Sequence, residues 1–146
     1  MKRSSKAYWT GDLKTGHGEL TTQSQVLNKT QYSFNTRFAD GSGTNPEELL
    51  AAAHAGCFTM ALAYALSQQG LTAEDLETTA VVTVDLANGG ITGIELTLNA
   101  SPVTGLPEDV FLQHASEAKQ NCLVSKALGG VAISLTVNYG EFQPNA

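Results

Sequence analysis

A run of 18 residues, Leu49 to Leu66, reads LLAAAHAGCFTMALAYAL and holds only two clearly polar side chains, His54 and Thr59. Its flanks mark it as a helix. Asn45 can cap the start, Pro46 suits the first helical position, and Glu48 stands at capping-box spacing. Gly70 is the stop, so the pattern predicts one helix over about residues 46–69. It is apolar nearly all round until Ser67, and such a helix needs burial on several sides. A chain of 146 residues has little to wrap it with, so burial against a second copy is expected. A membrane span is the competing reading. Seven of the 18 residues are alanine and Gly56 sits among them, which is weak for a lone span of about 20 residues. The mean hydropathy of −0.09 and the lack of a second such run favour a soluble protein.

The rest of the chain alternates. Lys6–Asp12 and Gly18–Thr22 read as strands separated by turn residues that include Gly11 and Gly16. Tyr32–Phe38 places Tyr32, Phe34, Thr36 and Phe38 on one face of a third strand, with Ser33, Asn35 and Arg37 on the other. Leu76–Leu86 and Ile91–Ala100 read as a hairpin around Asn88-Gly89-Gly90, with Val82, Val84 and Leu86 on one face. Residues 107–128 predict a helix broken near Asn121, and Val131–Phe142 a last strand. No linker or repeat divides the chain. The expectation is one domain over residues 1–146, of α+β class.

Charge narrows the partners. A formal charge of −6 and a pI near 4.9 disfavour nucleic acid and anionic membrane surfaces, since binding would begin from repulsion. Lys2 and Arg3 have no apolar stretch behind them, so a secretory signal is not expected. A cytoplasmic, reducing location follows, where two cysteines are more often thiols than bridges.

Cys57 and Cys122 stand 65 residues apart with no local pairing motif. Either could be small buried filler, since free cysteine is among the most buried residue types. If the fold joins them, they suit a cycle of peroxide attack and disulfide closure. Gly56 costs about 1 kcal/mol against alanine in mid-helix, so something is expected to approach the backbone there. A thiolate in an apolar helix needs a cation. Arg37 is the only arginine beyond the extreme N-terminus, and guanidinium tolerates burial and can hold a peroxide oxygen. Its alternative is a solvated strand position. Glu47 could orient Arg37, or simply suit the helix dipole. Within one helix Glu47 lies about 15 Å along the axis from Cys57, so it is expected to act through Arg37 of its own chain or across a two-fold. His54 and Cys57 share a helical face and, with His114 and Cys122, could ligate a metal. Structural zinc normally has paired spacing at both ends, and only one pair has it here. No G-x-S-x-G is present, and Gly41-Ser42-Gly43-Thr44 lacks a phosphate-loop lysine.

Thr44-Asn45-Pro46-Glu47-Glu48-Leu49 followed by Ala52-Ala53-His54-Ala55-Gly56-Cys57-Phe58 resembles the core motif of the OsmC/Ohr family of osmotically inducible and organic-hydroperoxide-resistance proteins. Trp9-x-Gly11-Asp12 and Phe34-Asn35-Thr36-Arg37-Phe38 resemble its osmotically inducible branch, and Cys122-Leu123-Val124-Ser125 its second-cysteine motif. The resemblance implies two antiparallel sheets around long central helices in an intertwined homodimer, with active sites at the subunit interface. It implies a thiol peroxidase acting on organic hydroperoxides and less selectively on hydrogen peroxide. Cys57 would be peroxidatic, Cys122 resolving, and Arg37 with Glu47 the activating pair. No metal or organic cofactor is implied. The reductant would be an external dithiol, with a lipoylated protein as one such donor. Leu123 stands where the family commonly has proline, which leaves the backbone free to continue helically past Cys122. The competing reading is a dimeric binding or stress-structural protein with incidental thiols, which would consume peroxide without turning over.

Overall fold

The structure, a computed structural model, describes residues 1–140, 142 and 144. The chain forms two compact units, residues 1–49 and 50–146.

In the first unit, β1 (Ser5–Thr10), β2 (His17–Thr22) and β3 (Thr30–Tyr32) form an antiparallel sheet in that order. Trp9 pairs with Gly18, and Gly18 with Tyr32. A Cβ at Gly18 would collide with both aromatic rings, so the glycine is what lets Trp9 and Tyr32 meet at 5.6 Å between centroids. Trp9 Nε1 donates to the Gly11 carbonyl at 3.0 Å, which ties the strand end to the turn.

The predicted strand over 32–38 is corrected here. Only Tyr32 belongs to a strand, and Phe34–Phe38 is a short helix, α1. The cause is a capping box. The Thr36 amide donates to Ser33 Oγ at 3.3 Å, and the Ser33 amide donates to Thr36 Oγ1 at 2.7 Å. Phe34 and Phe38 are four apart, so they share a face in helix and strand alike. Their ring centroids lie 5.2 Å apart.

Helix α2 spans Pro46–Gln68. Asn45 caps it, its Oδ1 accepting the Glu48 amide at 2.8 Å. The return half of the expected capping box is diverted, because Glu48 Oε2 accepts the Thr44 hydroxyl at 2.8 Å instead. Gly70, at φ +70°, ends the helix in the left-handed region.

In the second unit, β4 (Leu76–Asp85) and β5 (Gly90–Ala100) form the expected antiparallel pair, joined by a tight helical turn over Leu86–Asn88. A bulge between Thr83 and Val84 breaks the alternation, and Val84 and Leu86 turn outward. Helices α3 (Glu108–Asn121) and α4 (Leu123–Ala127) cross over to β6 (Ala132–Tyr139), which pairs parallel with β5. This sheet is therefore mixed rather than antiparallel, because a helical crossover returns the chain in the same direction. The strand ends at Tyr139, short of the expected Phe142, and Glu141 lies outside the described residues.

One core unites these elements. Phe58, Leu62 and Leu66 of α2 meet Ile94, Leu96 and Leu98 of β5 and Phe111, Ala115 and Ala118 of α3. Tyr139 stacks on Phe111 at 4.2 Å, and its hydroxyl accepts the Val103 amide at 2.9 Å and donates to the Leu106 carbonyl at 2.8 Å. Past Glu47 in its first turn, the buried residues of α2 form a stripe at four-residue spacing, His54, Phe58, Leu62 and Leu66. The opposite face of Ala53, Gly56, Met60 and Tyr64 is exposed. Among the described residues nothing lies within 4 Å of a Cβ built on Gly56, so none of them makes the expected close approach.

Candidate active site

Each unit carries one constellation. In the first, α1 and the start of α2 bring together Arg37 and Glu47. Arg37 Nε and Nη2 both donate to Glu47 Oε1, at 3.0 and 2.8 Å. Arg37 thus stands on a helix rather than a strand, is exposed to solvent, and has as its partner the glutamate of its own chain. Glu47 is buried, and its Oε2 has no partner among the described residues. One carboxylate oxygen takes both N–H groups, so the remaining guanidinium donors stay free of it. Arg37 also lies over the Phe38 ring at 5.1 Å. Beside it is a cleft of about 290 Å³ lined by Trp9, Leu13, Tyr32, Phe34 and Phe38. Sequence reading placed an arginine beside an aromatic face; the cleft itself was not foreseen.

In the second unit the two cysteines meet. Both are free thiols packed into one core, near enough for each to shift the ionisation of the other. Cys57 is part-exposed, whereas Cys122 is 1% exposed. Cys122 lies at the break between α3 and α4, with ψ 126°. Its amide donates back to Ala118 at 2.8 Å, and its carbonyl accepts the Lys126 amide at 3.0 Å. It closes one helix and opens the next. The break expected near Asn121 is present, at Cys122, and it forms without proline. Its ψ is the one a following proline would impose.

The neighbours of the two sulfurs differ. Burial pushes the Cys57 thiol up, the amides of Val124 and Leu123 oppose this, and the neighbouring Cys122 adds to the rise. Burial also pushes Cys122 up, but the Ser125 amide, the Cys57 thiol, the Ser125 hydroxyl and the Val124 amide together outweigh it. The net direction for Cys122 is down. The more reachable sulfur is thus the harder one to ionise, and the buried one the easier.

His54, considered above as a metal ligand, instead meets Ser125, with Nε2 and Oγ 2.7 Å apart and both residues buried. Among the described residues no group of three or more His, Cys, Asp or Glu side chains gathers to hold a metal. Sequence reading gave Ser125 no role. The signal available was its spacing, three residues past Cys122, which returns it to that sulfur within one helical turn.

The family model for OsmC-like proteins matches residues 39–138. The chain belongs to the OsmC family. It is 42% identical over 129 residues to Peroxiredoxin OsmC of Escherichia coli K12, covering 88% of this chain and 90% of that protein. Among solved structures, the organic hydroperoxide resistance protein OhrB of Bacillus subtilis is 27% identical, with a TM-score of 0.65 over 92% of this chain and 98% of that one. An organic hydroperoxide resistance protein of Elizabethkingia anophelis is also 27% identical, with a TM-score of 0.69 over 96% and 99%. Membership agrees with the motifs around Asn45 to Phe58 and with the two-sheet α+β architecture.

Proposed function

We propose that this chain is a thiol-dependent peroxidase that reduces organic hydroperoxides and, less selectively, hydrogen peroxide, through Cys57 and Cys122. That it is a peroxiredoxin-like enzyme rests on its kinship with Peroxiredoxin OsmC. The residue roles rest on one observation above all: two adjacent free thiols, of which one is reachable and the other is 1% exposed. Peroxide meets the exposed sulfur first, so Cys57 is the attacking thiol and Cys122 the resolving one. The easier ionisation of Cys122 would favour the reverse order, but a sulfur so buried cannot be the first to meet a hydroperoxide.

The cycle has three steps. The Cys57 thiolate attacks the distal peroxide oxygen, the O–O bond breaks, and the alkoxide leaves as an alcohol once protonated. The Cys57 sulfenic acid condenses with Cys122 to a disulfide and water. An external dithiol, of the kind a lipoyl group presents, reduces the disulfide. Because burial raises the Cys57 thiol, the fold around it does not supply the thiolate. We assign that task to Arg37, held by Glu47. The aromatic cleft beside Arg37 would accept the organic group of the substrate, which accounts for a preference over hydrogen peroxide. We further propose a homodimer in which the exposed face of α2 is covered by a second copy.

The test is one equivalent of cumene hydroperoxide followed by mass spectrometry. Cys57→Ser should lose all peroxide reduction. Cys122→Ser should react once and leave Cys57 as a trappable sulfenic acid or in a higher oxidation state. Equal loss of the first turnover in both variants would remove these roles. A wild type that consumes peroxide but never turns over with any dithiol would favour a binding or structural protein.

A further inference from the structure

We propose that Ser125 and His54 form a proton relay that takes the Cys122 thiol proton during disulfide closure. The inference rests on the assignment of Cys122 as the resolving thiol. Cys122 is the N-cap of α4 and Ser125 stands three residues on in its first turn, where its amide and hydroxyl favour the Cys122 thiolate. On its far side the same hydroxyl meets His54 Nε2 at 2.7 Å. The three side chains are enclosed: Cys122 is 1% exposed, His54 0% and Ser125 8%. A thiol so enclosed gives its proton to solvent only slowly, yet closure requires that the proton leave. The hydroxyl has one proton and two neighbours, which is the arrangement a relay needs.

Burial lowers the affinity of His54 for a proton, so it rests neutral and available as a base. No charged group contributes to that effect, and the other titratable groups in the network are the two thiols. For closure the relay turns the Cys122 S–H to Ser125 Oγ while the Ser125 O–H donates to His54 Nε2, which stands 2.7 Å from it. One concerted shift moves the thiol proton to Oγ and the hydroxyl proton to Nε2. The Cys122 thiolate then attacks the Cys57 sulfenic sulfur. The S–S bond forms, the S–O bond breaks, and the oxygen leaves with the electron pair as hydroxide. The proton held on His54 goes to that hydroxide, so one water leaves and the imidazole ends neutral. The sulfenic sulfur is reduced and the Cys122 sulfur oxidised. Ser125 acts on the reacting sulfur, and His54 acts through Ser125 as a positioning residue and proton acceptor.

The experiment follows the lifetime of the Cys57 sulfenic acid after one equivalent of cumene hydroperoxide, by rapid dimedone trapping between pH 6 and 8.5. Wild type, Ser125→Ala, Ser125→Thr and His54→Gln are compared, each checked for a cooperative unfolding transition. Wild-type closure should vary little with pH. In Ser125→Ala and His54→Gln the sulfenic acid should persist about 100-fold longer near pH 7, and its closure should speed up about tenfold per pH unit as hydroxide replaces the relay. Ser125→Thr keeps the hydroxyl and should restore the flat profile. A purely structural role would slow closure without changing its pH dependence. Wild-type rates and flat profiles in the folded Ala or Gln variants would overturn the relay. So would a wild-type closure that already rises tenfold per pH unit, a result that needs no variant to fold. Failure of wild type to form any Cys57 sulfenic acid would instead overturn the underlying assignment of the thiols.

Discussion

Leu123 offers its amide, not its side chain, to the chemistry. Its side chain is 74% exposed, while its N–H is among the donors that oppose the burial-driven rise of the Cys57 thiol. Leu123→Pro should therefore fold normally, because Cys122 already holds the ψ of 126° that proline requires before it. It should also raise the Cys57 pKa, since proline has no N–H. A pH profile of Cys57 alkylation reads this; an unchanged midpoint would mean that the amide does not act on the sulfur. The same assay tests the cation. Arg37→Ala should raise the Cys57 pKa and slow peroxide attack, and Arg37→Lys should remain impaired because the fork that grips Glu47 at 3.0 and 2.8 Å is lost. Glu47→Ala should cost less, and little more in the Arg37→Ala background. His54 gives a stability signature. Burial holds it below its ordinary value of 6.5, so between the two values the unfolded chain binds the extra proton. Its contribution is complete above pH 6.5 and is lost as pH falls through that range. Melting temperature should drop from pH 7 to 5, and His54→Gln should flatten part of that slope.

Helix α1 is held by very little, and that is why its sequence misleads. Its two aromatics are four apart, a spacing common to the helical and the strand period, so the pattern of Phe34 and Phe38 cannot distinguish the two. The reciprocal bonds of Ser33 and Thr36 decide the matter. Ser33→Ala should cost about 1 kcal/mol in denaturant unfolding and weaken the hold on Arg37. An unchanged midpoint would leave α1 to its aromatic contacts alone. By contrast, α2 was legible end to end, because Asn45, Pro46 and Gly70 each carry a local signal that needs no tertiary context. The hairpin of β4 and β5 was legible for the same reason, save at the bulge after Thr83, which a period-two pattern cannot register. The parallel placement of β6 depends on a helical crossover, and residue pattern alone does not fix the direction of a strand. The meeting of Cys57 with Cys122 came from family resemblance, since the 64 residues between them carry no pairing signal. The contact of His54 with Ser125 was not legible, because the two lie 71 residues apart in the chain.

For the molecule as a whole, the unsolved demand is the outer face of α2. Only 22% of the most apolar 18 residues of this helix are buried, although by length and composition it could cross a membrane. Met60 is 76% exposed and Tyr64 66%, with Ala53 and Gly56 extending the same face. A bilayer would need apolar surface on every side, yet Phe58, Leu62 and Leu66 are already committed to a protein core. A second copy needs only the free face. The small residues at 53 and 56 allow close approach, and the open space around the Gly56 Cβ position leaves room for a partner there. In a two-fold arrangement the same patch serves both copies, so any charge placed on it is met by its own image. We therefore expect the protein to sediment at micromolar concentration with twice its chain mass of 15.3 kDa. Met60→Glu with Tyr64→Glu should yield monomers and a lower melting temperature, because repulsion replaces apolar burial and the stabilisation from assembly is lost. A wild type that sediments as a monomer and unfolds cooperatively would show that α2 tolerates its exposed face, and the proposed dimer would fall with it.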